Sequence, residues 1–386
     1  MNGSPKKKTS PTLGLAASVF LSLHTTVICL IILCILVFWG TLYQVDHGIY
    51  AAKARFFSAW IVMIGGIIPF PGVRLVGSAL ILNQATMLVF KQQWRPDKAG
   101  LIITHIGILV LLAGGGIVSY TARETFLTLW EGETSCESLS YNSWELAASE
   151  LAKDGRPEAI LVLNLDTLKA GQSYRFGSGD VSLGIENTYK NCTALMPSSM
   201  THATRMQSNA MPSAADSIEP EKPAADPSDN VPGAIVSVTG GGAAARAVLY
   251  GGVAQPVRVP CGAETLSLSI RRKPTRLPLR ISLLRFVKED YAGTQMARQY
   301  RSAIHAKGPD IDRDVVVSMN KPFRYRQYAF YQSSYSQSID RRSSTLAVVE
   351  NRGKWLPYIA SFLMSLGLLL HFGTKLVAHV RKRRAS

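Results

Sequence analysis

Lys98–Tyr120 reads KAGLIITHIGILVLLAGGGIVSY. From Leu101 to Tyr120 it contains no Asp, Glu, Lys or Arg. A helix rises about 1.5 Å per residue, so roughly 20 apolar residues match a hydrocarbon layer about 30 Å thick. A helix on the surface of a soluble protein would interrupt such a run with polar residues on its outer face. The segment 100–120 is therefore read as a membrane-crossing helix, and the rest of the chain is organised around it.

Three further runs have the same character. Leu13–Leu42 lacks Asp, Glu, Lys and Arg, with His24 as its one imidazole, and predicts a helix over 13–42. It is too long for the apolar part of a signal peptide and shows no clear small-residue cleavage site, so it is expected to be a retained anchor. Leu75–Phe90 includes Asn83 and Gln84 and is flanked by Arg74 and Lys91, predicting a helix over 74–91. Trp355–Phe372 opens with Trp355, Pro357 and Tyr358, which suit a membrane interface, and predicts a helix over 355–372. Within the loop 43–73, the segment Phe56–Phe70 is apolar but short, and it ends in Pro69-Phe70-Pro71. It is expected to be interfacial or re-entrant rather than a fifth span.

The formal charge of +16 and the pI near 9.7 would suggest nucleic acid as a partner for a soluble protein. The placement of the charge argues otherwise. Lys6, Lys7 and Lys8 precede the first run, Lys91, Arg95 and Lys98 separate the second from the third, and Lys375, Arg381, Lys382, Arg383 and Arg384 follow the last. Asp97 is the only acid in those stretches. Four spans put all three basic segments (1–12, 92–99 and 373–386) on one side, and the positive-inside rule makes that side the cytoplasm. Residues 121–354 then lie outside.

Between Glu124 and Lys354 the pattern changes to short alternating runs. Examples are Ala159–Leu165, Val181–Ile185, Ala234–Val238, Ala247–Leu249, Thr265–Ile270, Leu279–Phe286, Asp314–Met319 and Tyr328–Gln332. Glycine and proline separate them, which predicts a β-sandwich or a related open sheet. The stretch 206–232, rich in Ala, Ser, Pro, Asp and Glu, is expected to be a disordered surface insertion. The fold expected is an integral membrane α-helical bundle of four transmembrane helices with a large, β-rich, sandwich-like extracytoplasmic domain.

No phosphate-binding glycine loop, G-x-S-x-G, H-E-x-x-H or Cys/His cluster occurs. There is no CxxC, so thioredoxin-like exchange is not expected. Cys29 and Cys34 lie in an apolar run and read as packing residues; Cys136, Cys192 and Cys261 allow at most one internal bridge. His202 and His305 stand isolated in polar surroundings and read as surface residues. Three histidines are different. His24, His105 and His371 each fall in the half of a span nearest the basic side, where an ionisable group is costly and tends to be functional. Neutral imidazole is an axial ligand for haem iron. Each also has a bland reading: His24 as a helix-carbonyl donor, His371 as an interfacial residue, His105 as a helix–helix hydrogen-bonding group. Of the three, His105 has the small residues Thr104 and Gly107 beside it and Gly114–Gly116 beyond, which permit close helix approach or a slot for a flat ligand.

The order of several short motifs resembles the ResB (CcsB) family of system II cytochrome c biogenesis. They are Trp39-Gly40-Thr41-Leu42-Tyr43-Gln44, Phe56-Phe57-Ser58-Ala59-Trp60, Pro69-Phe70-Pro71-Gly72, Lys98 to Gly107, Gly114-Gly115-Gly116 and Leu129-Trp130-Glu131-Gly132-Glu133. Met319 to Tyr325, Tyr328 to Ser334 and Trp355-Leu356-Pro357-Tyr358 continue the series, while 140–270 matches weakly. The resemblance implies a bacterial plasma-membrane protein that works with a ResC/CcsA-type partner to move haem b outward for attachment to the CxxCH cysteines of apocytochrome c. It implies a non-catalytic subunit of that complex, with His105 as the family's membrane histidine and haem-ligand candidate; His24 is a weaker second candidate. Lys98 and Arg95 are placed to meet haem propionates, and Arg324–Tyr335 is a candidate docking edge. The alternative is a structural subunit that binds no haem and stabilises the partner.

Overall fold

The structure, a computed structural model, describes residues 19–151, 157–176, 181–195, 217–240, 243–253, 255–261, 264–294, 296–338 and 341–385. The chain divides into two compact units: one runs up to Arg123 and resumes at Glu350, and the other is Glu124–Val349.

The first unit is helical. Its elements are α1 (Leu23–Ala52), α2 (Val73–Thr86), α3 (Ala99–Thr121) and α4 (Leu356–Ala385). With their flanking turns, all four are long and apolar enough to cross a membrane. The ends differ from the sequence reading in three ways. Residues 13–18 lie outside the described residues, and α1 starts at Leu23 and continues ten residues past Leu42. Hydropathy falls at Gln44, Asp46 and His47, but backbone hydrogen bonding does not depend on apolarity. The helix bends only at Gly48, whose φ of 79° is outside the helical region. Helix α4 likewise continues through the expected tail 373–386 as far as Ala385, because Lys, Arg, Leu and Ala are good helix formers and no proline interrupts them. Third, the segment read as interfacial or re-entrant is a β-hairpin, β1 (Ile61–Ile64) and β2 (Ile68–Pro71). Gly65 and Gly66 at its tip take φ of 58° and 77°, the left-handed pair that a tight hairpin turn requires.

Two different contacts organise this unit. Helices α3 and α4 run antiparallel at close range. A Cβ on Gly100 would sit 2.5 Å from the His371 nitrogen and 2.7 Å from the Gly367 carbonyl oxygen. One on Gly107 would sit 2.9 Å from the Met364 nitrogen, and one on Gly114 2.9 Å from Leu356 Cβ. The seven-residue spacing keeps the three glycines on one stripe of α3. The second contact joins α1, α2 and the hairpin around Cys29, Leu36, Phe56, Val62, Val76 and Leu80. Trp39, Tyr43 and Phe70 extend it, with Phe56 against Trp39 and Tyr43 at ring distances of 5.4 Å each.

The second unit is all β. Its first strands are β3 (Arg123–Trp130), β4 (Thr134–Leu151), β5 (Pro157–Asn164), β6 (Ser173–Phe176), β7 (Val181–Tyr189), β8 (Cys192–Leu195) and β9 (Ser217–Pro220). There follow β10 (Gly233–Gly240), β11 (Ala243–Tyr250), β12 (Val257–Cys261) and β13 (Glu264–Asp290). It closes with β14 (Ala297–Gly308), β15 (Ile311–Ser318), β16 (Phe323–Tyr325), β17 (Tyr328–Gln337) and β18 (Arg342–Glu350). The main sheet runs β15-β14-β13-β4-β3-β18-β17-β16, with β12 beside β13 and β5 beside β4. A four-stranded sheet, β11-β10-β7-β6, covers one part of it. There Leu183, Ile185, Val236 and Leu249 share a core with Leu146, Leu266 and Leu268. A separate core, around Leu129, Ile281, Ile304, Phe330 and Leu346, serves the remainder.

Strand β13 joins what the sequence presents as two strands, 265–270 and 279–286. Pro274 and Pro278 interrupt the alternation, but the ladder to β4 accommodates them with irregularities at Arg272/Pro274 and Arg276/Ile281. Across that break the buried positions change from even numbers (Leu266, Leu268, Ile270) to odd ones (Leu277, Leu279, Ile281, Leu283). An inserted residue does this, because side chains alternate with a period of two.

The expected disordered insertion also needs correction. Residues 206–216 lie outside the described residues, but 217–232 is folded. Strand β9 pairs with β8, Asn191 accepts from the Val231 nitrogen (3.1 Å) and donates to the Lys222 carbonyl (3.0 Å), and Asp226 accepts from Ser228 at 2.8 Å. The segment is ordered by polar side chains bonding its backbone, which composition does not reveal.

Candidate functional site

His105 occupies the second turn of α3, whose register is fixed by the glycine stripe against α4. Its Nδ1 lies 2.8 Å from the Leu101 carbonyl oxygen, one turn back. A carbonyl has only lone pairs to offer, so Nδ1 must carry the proton. The neutral ring then keeps its lone pair on Nε2, the nitrogen farthest from the backbone, which can ligate a metal. The side chain is half-buried. Leu112, seven residues on and therefore on the same stripe, packs against the α1–α2 cluster. Thr104, one position away, spends its hydroxyl on the Gly100 carbonyl (2.9 Å) and faces Gly367. The α4-facing side of α3 is thus filled by backbone contact, and His105 is turned away from it.

The other histidines are placed differently. His24 is exposed in the first turn of α1, with Nδ1 3.3 Å from the hydroxyl of Ser22, the residue that caps the helix. His371 lies beside Gly100 on α4 and meets Phe372 edge-on at 5.5 Å. Gly100 is five residues from His105, about 7 to 8 Å along the axis. His47, which sequence reasoning passed over, stacks on Tyr43 at 3.9 Å, and Arg55 lies 4.9 Å over the same ring. The signal was available: Tyr43 and His47 are spaced i, i+4 on one helix.

The basic residues near the start of α3 already have partners. Arg95 pairs with Asp97 at 3.0 Å, and Lys98 donates to Gln93 at 2.6 Å. The Arg95 pair is well exposed, and such pairs are worth at most about 1 kcal/mol, so an incoming anion could displace Asp97. Lys91 donates to the Leu21 carbonyl at 2.9 Å. With it, Asn83 donates to the carbonyls of Phe20 (2.8 Å) and Ser22 (3.1 Å) and accepts from Thr26 (2.6 Å). This knot, centred on the fully buried Asn83, satisfies the backbone just before α1.

In the β unit several motif residues prove architectural. Glu131 accepts from the Phe286 nitrogen at 2.6 Å and Glu133 from the Trp130 nitrogen at 2.9 Å, closing the β3–β4 turn around Gly132 at φ 84°. In the expected docking edge Arg324–Tyr335, Tyr325 and Phe330 point into the core, and the Tyr325 hydroxyl donates to Asp310. That bond holds the Asp310 carboxyl below its usual range. His305 lies between Asp314 (2.7 Å) and Asp312 (3.1 Å), so it is not isolated; His202 lies outside the described residues. Cys29, Cys34, Cys136 and Cys192 carry free thiols. Among the described residues, no group of three or more His, Cys, Asp or Glu side chains could hold a metal ion.

These elements define a class: a helical unit with, among the described residues, four helices long and apolar enough to cross a membrane, and a large β unit inserted between the last two. Residues 233–341 match the model of the ResB-like family. That match covers β10 to the end of β17. No curated protein matches the chain.

Proposed function

We propose that the chain is the haem-handling ResB-type subunit of a cytochrome c assembly complex. In this reading the four helices cross a bacterial plasma membrane, both ends and the 92–98 loop face the cytoplasm, and the β unit faces outward. His105 ligates the iron of haem in transit through Nε2, with Lys98 and Arg95 at the propionate end of the ring. The haem is cargo, handed with a ResC/CcsA-type partner to apocytochrome c. His24 or a residue of the partner supplies the second axial nitrogen.

The observation that carries this reading is the Nδ1 bond from His105 to the Leu101 carbonyl. It fixes the tautomer that leaves Nε2 free, without a partner protein having to do so. The basic residues flanking the apolar runs support the orientation. The test is co-expression with the partner, purification in detergent and an absorption spectrum, wild type against His105→Ala. A Soret band that weakens or shifts by several nanometres in the variant supports ligation by His105. An unchanged band overturns it and leaves the chain as a scaffold that braces the partner.

A further inference from the structure

An open groove of about 840 Å³ runs along one face of α4. Leu368, Leu369, Phe372 and Leu376 form its apolar part, and Lys375 and His379 stand towards its far end. Successive helical residues are turned by about 100°. Leu369, Phe372, Leu376, His379 and Arg383, spaced alternately by three and four, therefore share one stripe of the helix. The residues that meet α3, which are Ala360, Met364, Gly367 and His371, lie on a different stripe. The groove is turned away from the α3 contact, and its lining residues are exposed. A layer about 30 Å thick takes roughly 20 helical residues. Counted from Leu356, that length ends near Lys375, so the groove crosses the layer's boundary, apolar inside it and cationic outside.

Charge narrows the occupant. No Asp or Glu follows Glu350, while Lys375, Arg381, Lys382, Arg383 and Arg384 crowd the end of α4. Among the described residues none of these cations has an ion-pair partner. The other segments on the basic side supply no counter-charge: the first acid in the sequence is Asp46, and Asp97 already pairs with Arg95 at 3.0 Å. The occupant must therefore bring a negative charge at one end and an apolar tail at the other. We infer that the basic end of α4 binds an anionic phospholipid. An acyl chain lies along Leu368, Leu369 and Phe372. The phosphate meets the Lys375 ammonium, an N–H of His379 and the Arg383 guanidinium, the last a planar fork of donors matched to phosphate oxygens. The inference rests on the reading of α4 as a membrane span and is independent of haem ligation at His105.

The test is native mass spectrometry of the full chain in detergent, titrated with palmitoyl-oleoyl-phosphatidylglycerol or the matched phosphatidylcholine. The anionic lipid should bind saturably and more tightly than the neutral one. Lys375→Gln with Arg383→Gln should weaken its binding by about fivefold for each cation removed. Arg381→Gln with Arg384→Gln removes the same charge from other faces of the helix and should change the affinity by less than about twofold. Glycerol 3-phosphate, which carries the phosphate without acyl chains, should not compete. The inference is overturned by equal binding of phosphatidylcholine, by equal losses in the two double variants, or by competition from glycerol 3-phosphate, which would make this a site for free phosphate. Flotation with pure phosphatidylcholine liposomes separates the lipid site from the membrane reading. A chain that floats but shows no preference for the anionic lipid sinks the site alone; one that does not float sinks both.

Discussion

The two units resolve the same problem, where to put large apolar side chains, in opposite ways. In the β unit Leu266, Leu268, Ile281 and Phe330 are 0% exposed. In the helical unit Phe38, Phe362, Leu369 and Phe372 are 64–73% exposed, and the closest contact between helices is made by glycine. In water, burying one such side chain is worth about 1.5 to 3 kcal/mol, and the β unit is built on that gain. In hydrocarbon the gain vanishes, and helices associate through close backbone approach and buried hydrogen bonds. The contrast supports lipid as the solvent of the helical unit and identifies what each unit can least afford to lose: backbone proximity in one, register and burial in the other.

The largest expected effect breaks the helical side of this contrast. Gly100→Ala places a methyl group against backbone atoms of α4 that cannot rotate away, and little monodisperse protein should survive purification. Gly116→Ala meets nothing within 4 Å and should be neutral or slightly stabilising, as alanine normally is in a helix. Size-exclusion profiles and thermal melts of the two variants would show it; equal behaviour would mean that the glycine stripe is incidental. Next in size, Asn83→Leu removes a donor from the part-buried carbonyls of Phe20, which keeps Thr86 as a second donor, and Ser22, and the acceptor from the Thr26 hydroxyl, a cost of about 2 kcal/mol. Hydrogen exchange should rise at residues 20–26 and not in the β unit.

The smallest effect sharpens the other side. Burial, and after it the charge of Glu221, pushes the Cys192 thiol from 9.0 up to about 11. The folded chain therefore keeps a proton that the unfolded chain loses. The stabilisation is whole below pH 9 and disappears as pH rises through 11. About 2 kcal/mol should be lost over that window. Urea titrations of Cys192→Ala should show a flatter dependence on pH than wild type.

Much of the helical unit was legible because an apolar run about 20 residues long has few other meanings. Helix ends were not: α1 continues through Gln44 and Asp46, and α4 through its basic tail, because backbone bonding ignores hydropathy. The hairpin at Ile61–Pro71 reads as a short apolar segment until Gly65 and Gly66 are seen as a left-handed pair. In the β unit, individual strands were visible by alternation. The union of 265–270 with 279–286 was hidden by two prolines, and the folded part of the insertion by a composition typical of disorder. His105 stood out as an imidazole in an otherwise apolar run, but its tautomer depends on the Leu101 carbonyl, which only the helix places within reach.

Strands β3 and β18, the first and last of the β unit, are neighbours in its main sheet, joined at Glu131–Arg342 and Thr128–Thr345. In the helical unit the end of α3 and the approach to α4 are likewise close: a Cβ on Gly353 would meet the Val118 side chain. Entry and exit are thus adjacent in each unit separately. A module whose two ends meet can be acquired, replaced or removed by recombination without disturbing the helices on either side of the insertion. The β unit has the form of a cassette, and relatives could exchange it while keeping the α3–α4 hairpin and its histidine.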